Sequence, residues 1–172
     1  NTGGQSSKSS QAASIAEFAA GGKTTAKKDL GEIAMSYGHI YVASVAMGAN
    51  RMQTIKAFIE AESYNGPSLI LAYSPCLLHG IKGGLKNHQK AQREAVACGY
   101  VNLYRFDPRN EKPLTIDSGK PDFSKYKDFI LNENRYRNLM AVRGAEAAEA
   151  MYAKSQKDAE KRYTDLLNRA GH

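Results

Sequence analysis

The pattern of apolar and polar positions in the middle of the chain alternates between compact apolar runs and amphipathic stretches. The apolar runs at residues 39–46, 68–73 and 100–106 are typical of β-strands, and the second is so continuous that it predicts a strand covered on both faces. Asn50 is expected to cap a helix whose core-facing stripe consists of apolar residues at helical spacing: Met52, Ile55, Phe58 and Ile59. A further helix is predicted at 87–98. Strands alternating with helices of these lengths predict an α/β fold with an open, mostly parallel sheet and flanking helices.

The regions on either side of this pattern are predicted to be largely helical. Residues 11–20 carry apolar residues at helical spacing and predict a helix directly after the opening loop. Asp29 stands where an N-cap is expected, ahead of a short helix that Gly38 closes. From Phe123 onwards the pattern is helical, and it ends in a long, charged, alanine-rich helix with one apolar face. We therefore expect an α/β part, residues 1–120, and a C-terminal helical extension, residues 121–172, that packs on the domain or on a second subunit.

Charge and hydropathy restrict the classes of function. The formal net charge is +7, from 24 lysines and arginines against 17 acidic residues. The basic residues are scattered, without an arginine-rich run or an aromatic ladder, so a nucleic-acid-binding domain is an alternative that rests mainly on Lys23, Lys27 and Lys28. The longest apolar run, residues 69–73, is far too short to span a bilayer, which predicts a cytoplasmic protein without membrane contact.

The opening loop, residues 1–10, has the composition of an anion-binding loop. It contains Gly3 and Gly4, four serines and Lys8, and it precedes the predicted helix at 11–20. Backbone N–H groups, hydroxyls and a helix N-terminus together suit a negatively charged ligand. The alternative is a frayed terminus that is rich in serine and glycine. Ligands of open α/β sheets bind beyond the carboxyl ends of strands, yet no strand precedes this loop. We therefore expect the chain to begin inside a domain of a longer polypeptide.

The two cysteines, Cys76 and Cys98, are too few for a disulfide scaffold. Cys76 comes directly after a predicted strand, at the edge of the sheet where cofactors gather. A single cysteine there is most often a small buried hydrophobe, and the chain has no CxxC motif, so its residues alone do not predict an iron–sulfur site. Cys98 lies near the end of a predicted amphipathic helix and is expected in the core.

Three segments carry a resemblance to a known family: NTGGQSSKSS, FAAGGKTTAKKDLGEIAMSYGHIYVASVAMGAN and AESYNGPSLILAYSPCLLHGI. From Asn1 to about Gly171 the sequence resembles the C-terminal part of pyruvate:ferredoxin (flavodoxin) oxidoreductase. The resemblance implies that residues 1–120 are the C-terminal part of the thiamine-diphosphate-binding domain. It further implies that Cys76 is the one distant ligand of the 4Fe–4S cluster nearest the thiamine. Asn1 would point into the thiamine site and donate a hydrogen bond to an oxygen that gains negative charge, with Thr2 close to the cofactor.

For the complete polypeptide, the resemblance implies oxidation of pyruvate with coenzyme A to acetyl-CoA and carbon dioxide. Electrons would pass through 4Fe–4S clusters to ferredoxin or flavodoxin, in anaerobic metabolism. Thiamine diphosphate would be bound with Mg²⁺, whose ligands would precede Asn1, and the enzyme would be a homodimer that binds no nucleic acid. The 172-residue chain alone is expected to be inactive. The remaining alternative is a free-standing, non-catalytic α/β domain whose basic surface binds nucleic acid or a protein partner.

Overall fold

The centre of the fold is an open sheet of four strands in the order β2-β1-β3-β4. The computed structural model describes residues 4–171, apart from the side chain of Leu77. The strands are β1 (Tyr41–Val45), β2 (Ser68–Ala72), β3 (Tyr104–Phe106) and β4 (Leu114–Ile116). β1 and β2 are parallel, whereas β3 is antiparallel to both β1 and β4. The α/β class and the open sheet are confirmed, but the sheet is mixed, and the predicted parallel order holds only for β1 and β2.

Seven helices surround this sheet within residues 4–171. They are α1 (Leu30–Ser36), α2 (Arg51–Ser63), α3 (His88–Ala97), α4 (Tyr126–Ile130), α5 (Asn134–Arg137), α6 (Leu139–Arg143) and α7 (Ala145–Ala170). Both predicted N-caps are confirmed. The Asp29 carboxylate accepts from Glu32 N at 3.0 Å, and the Asn50 side-chain oxygen accepts from Gln53 N at 2.9 Å, which satisfies backbone N–H groups that have no partner inside the helix. None of these helices is both long and apolar enough to cross a membrane.

The antiparallel direction of β3 follows from the position of α3. Gly48 N, just beyond the carboxyl end of β1, donates to the Gln92 side chain of α3 at 2.8 Å. α3 also packs against α4. The chain therefore stays at the carboxyl end of the sheet instead of crossing back over it. β3 enters from that end, with Tyr104 opposite Ser44 and Phe106 opposite Val42, and so runs against β1.

The prediction that the apolar stripe of α2 faces the core is wrong. Its members are exposed, with Met52 at 71% and Phe58 at 55% of their accessible surface, and Ile55 and Ile59 are exposed as well. The buried face of α2 consists of Gln53, Thr54 and Ala57. Ala57 packs against the β1 side chains, and small residues there let the helix approach the sheet closely. The Gln53 side-chain NH2 donates to Ser44 O at 3.2 Å and to the Asp117 carboxylate at 3.0 Å, whereas its side-chain oxygen has no partner among the described residues.

β2 and residues 11–20 also depart from their predictions. Among the described residues β2 is an edge strand, and its side chains are half-buried or exposed rather than covered on both faces. Residues 11–20 form turns and bridges, not a helix. Their backbone hydrogen bonds go to distant segments: Ala13 N donates to Lys23 O and Ile15 N to Arg135 O, each at 2.8 Å. These long-range partners override the local helical spacing.

α7 connects the two halves of the core. Ala148, Tyr152 and Ala159 pack in one apolar cluster with Tyr126 and Tyr136. Near its other end, Leu166 packs in a second cluster with β-strand residues that include Val42, Tyr104 and Phe106. The predicted apolar face of the long C-terminal helix is therefore confirmed, and this face lies against the chain's own sheet and helices.

Candidate functional site

Cys76 lies at the carboxyl edge of the sheet, as the sequence pattern predicts. β2 ends at Ala72, and Cys76 follows four residues later, immediately before a single 3₁₀ turn at Leu77–His79. His79 N donates to Cys76 O at 3.3 Å and closes that turn. Cys76 is half-buried and forms no disulfide. A thiol in this position is held by backbone structure on both sides and is still open to a ligand.

The segment after Cys76 is hydrogen-bonded to the first residue of α5 and to a residue just before this helix. Asn134 N donates to Gly80 O at 2.9 Å, and Lys82 N donates to Asn132 O at 2.8 Å. Gly80 has φ +69°, and a Cβ at this position would collide with the Asn134 side chain. Only glycine meets both requirements, the left-handed backbone and the close approach. Two short segments that are about fifty residues apart in sequence are thereby joined next to the thiol.

A buried ion pair lies behind this junction. Arg135 Nε is 2.5 Å from Glu133 Oε2, and Glu133 is only 4% exposed. Arg135 Nη2 donates to the Tyr100 hydroxyl at 2.8 Å, and the hydroxyls of Tyr100 and Tyr136 are 2.9 Å apart. The Arg135 guanidinium also lies over the Tyr136 ring, 5.0 Å from its centroid. Because removing one partner would leave a buried charge uncompensated, Glu133 and Arg135 are strong determinants of the local geometry.

His79 joins the thiol-bearing turn to this ion pair. Its Nδ1 lies 3.5 Å from Arg135 Nη1, the long end of the hydrogen-bond range. Burial lowers the pKa of His79, and the positive charge of Arg135 lowers it further. The imidazole is thus neutral at neutral pH and can accept from Arg135. Sequence reasoning missed both Glu133 and Arg135, because no local motif connects them with Cys76.

The described residues do not by themselves complete a metal site. Within residues 4–171 no group of three or more His, Cys, Asp or Glu side chains is placed to hold a metal ion. Cys98, the other cysteine, is buried in the core at the end of α3, and its thiol contacts Ala95 O at 3.5 Å. A half-buried thiol at a sheet edge fits the role of one thiolate ligand, and any cluster bound there would take its other ligands from elsewhere.

The predicted thiamine contacts, Asn1 and Thr2, lie outside the described residues. In the rest of the opening loop, Glu17 N donates to Gly4 O at 2.9 Å, and Lys23 Nζ donates to Lys8 O at 2.9 Å and to Ser10 O at 2.5 Å. The helix that was expected to direct its N-terminus at this loop does not form. The prediction that a helix N-terminus helps this loop to bind an anion is therefore wrong, since residues 11–20 provide no aligned N–H groups.

The two cysteines should differ sharply in reactivity. Burial raises the pKa of Cys98 to about 11, so roughly one molecule in a thousand carries the thiolate there at pH 8. In protein freed of iron, we expect iodoacetamide at pH 8 to alkylate Cys76 and to leave Cys98 unmodified until denaturant is added. Peptide mass spectrometry over a time course measures both rates. Equal labelling of the two in the native protein would contradict the buried position of Cys98.

Comparison with known proteins finds relatives that align with nearly the whole chain. No protein-family model matches the chain. It is 46% identical, over 99% of its length, to the pyruvate-flavodoxin oxidoreductase of Klebsiella pneumoniae, and 50% identical, over 94%, to the pyruvate:ferredoxin oxidoreductase of Moorella thermoacetica. The chain is a homologue of one segment of these pyruvate oxidoreductases. The mitochondrial NADP(+) pyruvate dehydrogenase of Euglena gracilis is also 50% identical, over 81% of the chain.

This homology confirms the resemblance found in the sequence. The chain spans 15% of the length of the Klebsiella relative, 14% of the Moorella relative and 8% of the Euglena relative. It therefore corresponds to a small part of each of these pyruvate oxidoreductases.

Proposed function

We propose that the chain is part of an enzyme that oxidatively decarboxylates pyruvate with coenzyme A to acetyl-CoA and carbon dioxide, and that passes the electrons to ferredoxin or flavodoxin. The observation that carries this proposal is the near-complete alignment with relatives named for pyruvate and for these two carriers. The half-buried thiol of Cys76 at the carboxyl edge of the sheet supports it. A non-catalytic domain with a basic binding surface is not favoured, because the relatives are oxidoreductases.

Within this proposal, residues 1–120 are the C-terminal part of a thiamine-diphosphate-binding domain, and residues 121–172 are the helical segment that packs on it. Thiamine diphosphate, when bound, supplies the electron sink for decarboxylation, and a 4Fe–4S cluster accepts single electrons. The ligands of Mg²⁺ and three ligands of the cluster belong to the rest of the polypeptide. The 172-residue chain alone is therefore inactive.

The chain's own residues have three roles in the proposal. Cys76 provides one thiolate to the 4Fe–4S cluster nearest the thiamine. The junction between Gly80 and Asn134, backed by the Glu133–Arg135 ion pair, fixes the backbone that follows this thiolate and limits its movement. Asn1 is the catalytic amide, which donates a hydrogen bond to a substrate oxygen as negative charge develops there, and Thr2 contacts the cofactor beside it.

The setting of this enzyme follows from the same family. We infer a cytoplasmic homodimer that serves anaerobic metabolism and that binds neither nucleic acid nor membranes. Its carriers, ferredoxin and flavodoxin, are acidic proteins, and the net charge of +7 on this segment is compatible with them.

The full-length polypeptide, purified without oxygen, tests the function. We expect reduction of flavodoxin or ferredoxin that requires both pyruvate and coenzyme A and that produces acetyl-CoA and carbon dioxide in equal amounts. Reactions without coenzyme A, and with 2-oxobutyrate or 2-oxoglutarate instead of pyruvate, are the controls. Protein with its full content of iron and thiamine but without pyruvate-dependent reduction would contradict the proposed substrate.

A further inference from the structure

A cavity of about 390 Å³ lies between the carboxyl-terminal half of β2, the segment that leads into β3, and α7. Its volume is in the range of sites for small organic ligands. Much of its wall is apolar, with Leu71 of β2, Val101 and Leu166 of α7 among the lining residues. Cys76 does not line it, so this cavity is separate from the candidate cluster ligand.

Two cations lie at this cavity without an acidic partner of their own. Neither Lys27 nor Arg162 forms a salt bridge with any residue that the structure describes; Lys27 Nζ donates to the carbonyl of Lys28 at 3.1 Å. Asp29 is the one acidic residue among those lining the cavity in the described chain, and its carboxylate already accepts from Glu32 N as the cap of α1. Two positive charges therefore face one negative charge, which leaves the cavity electropositive.

Three polar side chains at the same cavity also lack hydrogen-bond partners in the described part of the chain. Asn102 is only 8% exposed, and its side-chain oxygen is buried and unpaired. The Tyr73 hydroxyl and Arg162 Nη2 are likewise buried without a partner. Each such group costs free energy in the folded protein, so the grouping of three around one cavity calls for an explanation. The Tyr73 hydroxyl and Arg162 Nη2 can donate to a ligand, whereas the unpaired Asn102 oxygen can only accept.

The electrostatics of Lys27 agree with this arrangement. Burial lowers the pKa of Lys27, Asp29 acts in the opposite direction, and Arg162 lowers it further. Lys27 and Arg162 are therefore close enough to repel each other. A bound anion would relieve this repulsion and would satisfy the unpaired donors at the same time.

We propose that this cavity binds a small organic oxyanion, a carboxylate or a phosphate ester, with its charged group between Lys27 and Arg162. The planar guanidinium of Arg162 suits the oxygens of either group, and the Tyr73 hydroxyl lies at the wall to donate a further hydrogen bond. The apolar wall formed by residues such as Leu71 and Val101 accommodates the rest of the ligand. Cys76 does not line this site, and the proposal does not rest on the proposed pyruvate chemistry.

Titration of the full-length polypeptide tests the proposal, with inorganic phosphate and phenyl phosphate as probes. The protein is first saturated with thiamine diphosphate, so that this cofactor's own phosphate site is filled. We expect saturable binding of phenyl phosphate in calorimetry, at least about tenfold tighter than that of inorganic phosphate because the phenyl group buries apolar surface. Lys27→Gln and Arg162→Gln should each weaken it at least about tenfold. Lys28→Gln, which alters the exposed neighbouring lysine, is the matched control and should bind like the wild type.

Thermal unfolding without added anions separates this proposal from one in which another part of the polypeptide fills the cavity. If the site is free, Arg162→Gln leaves the unfolding temperature unchanged or raises it, because a repulsion with Lys27 is removed. If an acidic side chain of the polypeptide neutralises Arg162, the same substitution lowers that temperature and phenyl phosphate does not bind. That result, or phenyl phosphate binding that neither substitution weakens, would overturn the proposal.

Discussion

Replacement of Cys76 by alanine in the full-length polypeptide is expected to remove about four iron atoms per chain and one cluster signal from the EPR spectrum of the reduced protein. The reason is that a 4Fe–4S cluster is held by four cysteine thiolates, and alanine leaves one iron without its ligand. Thiamine diphosphate should remain bound, since Asn1 and Thr2 are unchanged. Reduction of ferredoxin or flavodoxin should fall, because the proposed first electron acceptor, the 4Fe–4S cluster nearest the thiamine, would be missing.

Cys98→Ala is the matched control for this experiment. Cys98 lies in the apolar core and burial raises the pKa of its thiol to about 11, so it is an unsuitable metal ligand at neutral pH. Iron content and spectrum should therefore equal those of the wild type. If iron and spectrum were also unchanged in Cys76→Ala, Cys76 would be an ordinary half-buried residue. The assignment of Asn1 to the thiamine site would then still stand, because it depends on a different segment.

The sequence placed Cys76 correctly but could not reveal what surrounds it. The continuous apolar run at residues 68–73 locates the carboxyl end of a strand, and β2 ends at Ala72, one residue before the predicted end. The Glu133–Arg135 ion pair comes from residues more than fifty positions later, and only the folded chain brings it next to His79. The metal-binding role of Cys76 came from family resemblance alone and stays a prediction.

Sequence features predicted the structure correctly where neighbouring residues alone determine it. The caps at Asp29 and Asn50 are confirmed because a side chain and a backbone N–H three residues later determine them. The spacing of Met52 and Phe58 revealed that these residues share one face of α2, but not which face meets the sheet. The space above β1 admits the small side chain of Ala57, so the larger apolar residues lie outside. Periodicity carries no information about this constraint.

Long-range geometry accounts for the other errors. A helix at 11–20 would need its own backbone partners, whereas Ala13 and Ile15 find theirs at Lys23 and Arg135. The direction of β3 depends on α3 remaining at the carboxyl end of the sheet, where Gln92 binds Gly48. The lengths of the strands and helices do not distinguish a crossover, which would make β3 parallel to β1, from the observed connection, which makes it antiparallel. The number and kind of elements were therefore better determined by the sequence than their connections.

Replacement of Tyr152 by alanine should lower the free energy of unfolding by about 3–5 kcal/mol, the usual cost of removing a large aromatic side chain from a core. The Tyr152 ring is buried in the cluster that joins α7 to Tyr136, and its hydroxyl donates to Tyr136 O at 2.6 Å. Tyr152→Phe keeps the ring and loses only that hydrogen bond, so it should cost about 1–3 kcal/mol. Urea denaturation of the 172-residue chain measures both values.

The same pair of variants connects the core with the candidate site. Tyr136 lies beneath the Arg135 guanidinium, and Arg135 in turn contacts Glu133 and His79. A cavity at position 152 should loosen this support and the junction at Gly80, so alkylation of Cys76 should be faster in Tyr152→Ala than in Tyr152→Phe. Equal destabilisation by both substitutions would contradict the packing of α7 against Tyr136. Strong destabilisation without faster alkylation would show instead that the Cys76 segment is held independently of α7. The backbone hydrogen bonds of Gly80 and Lys82 would then be sufficient, because neither of them involves Tyr136.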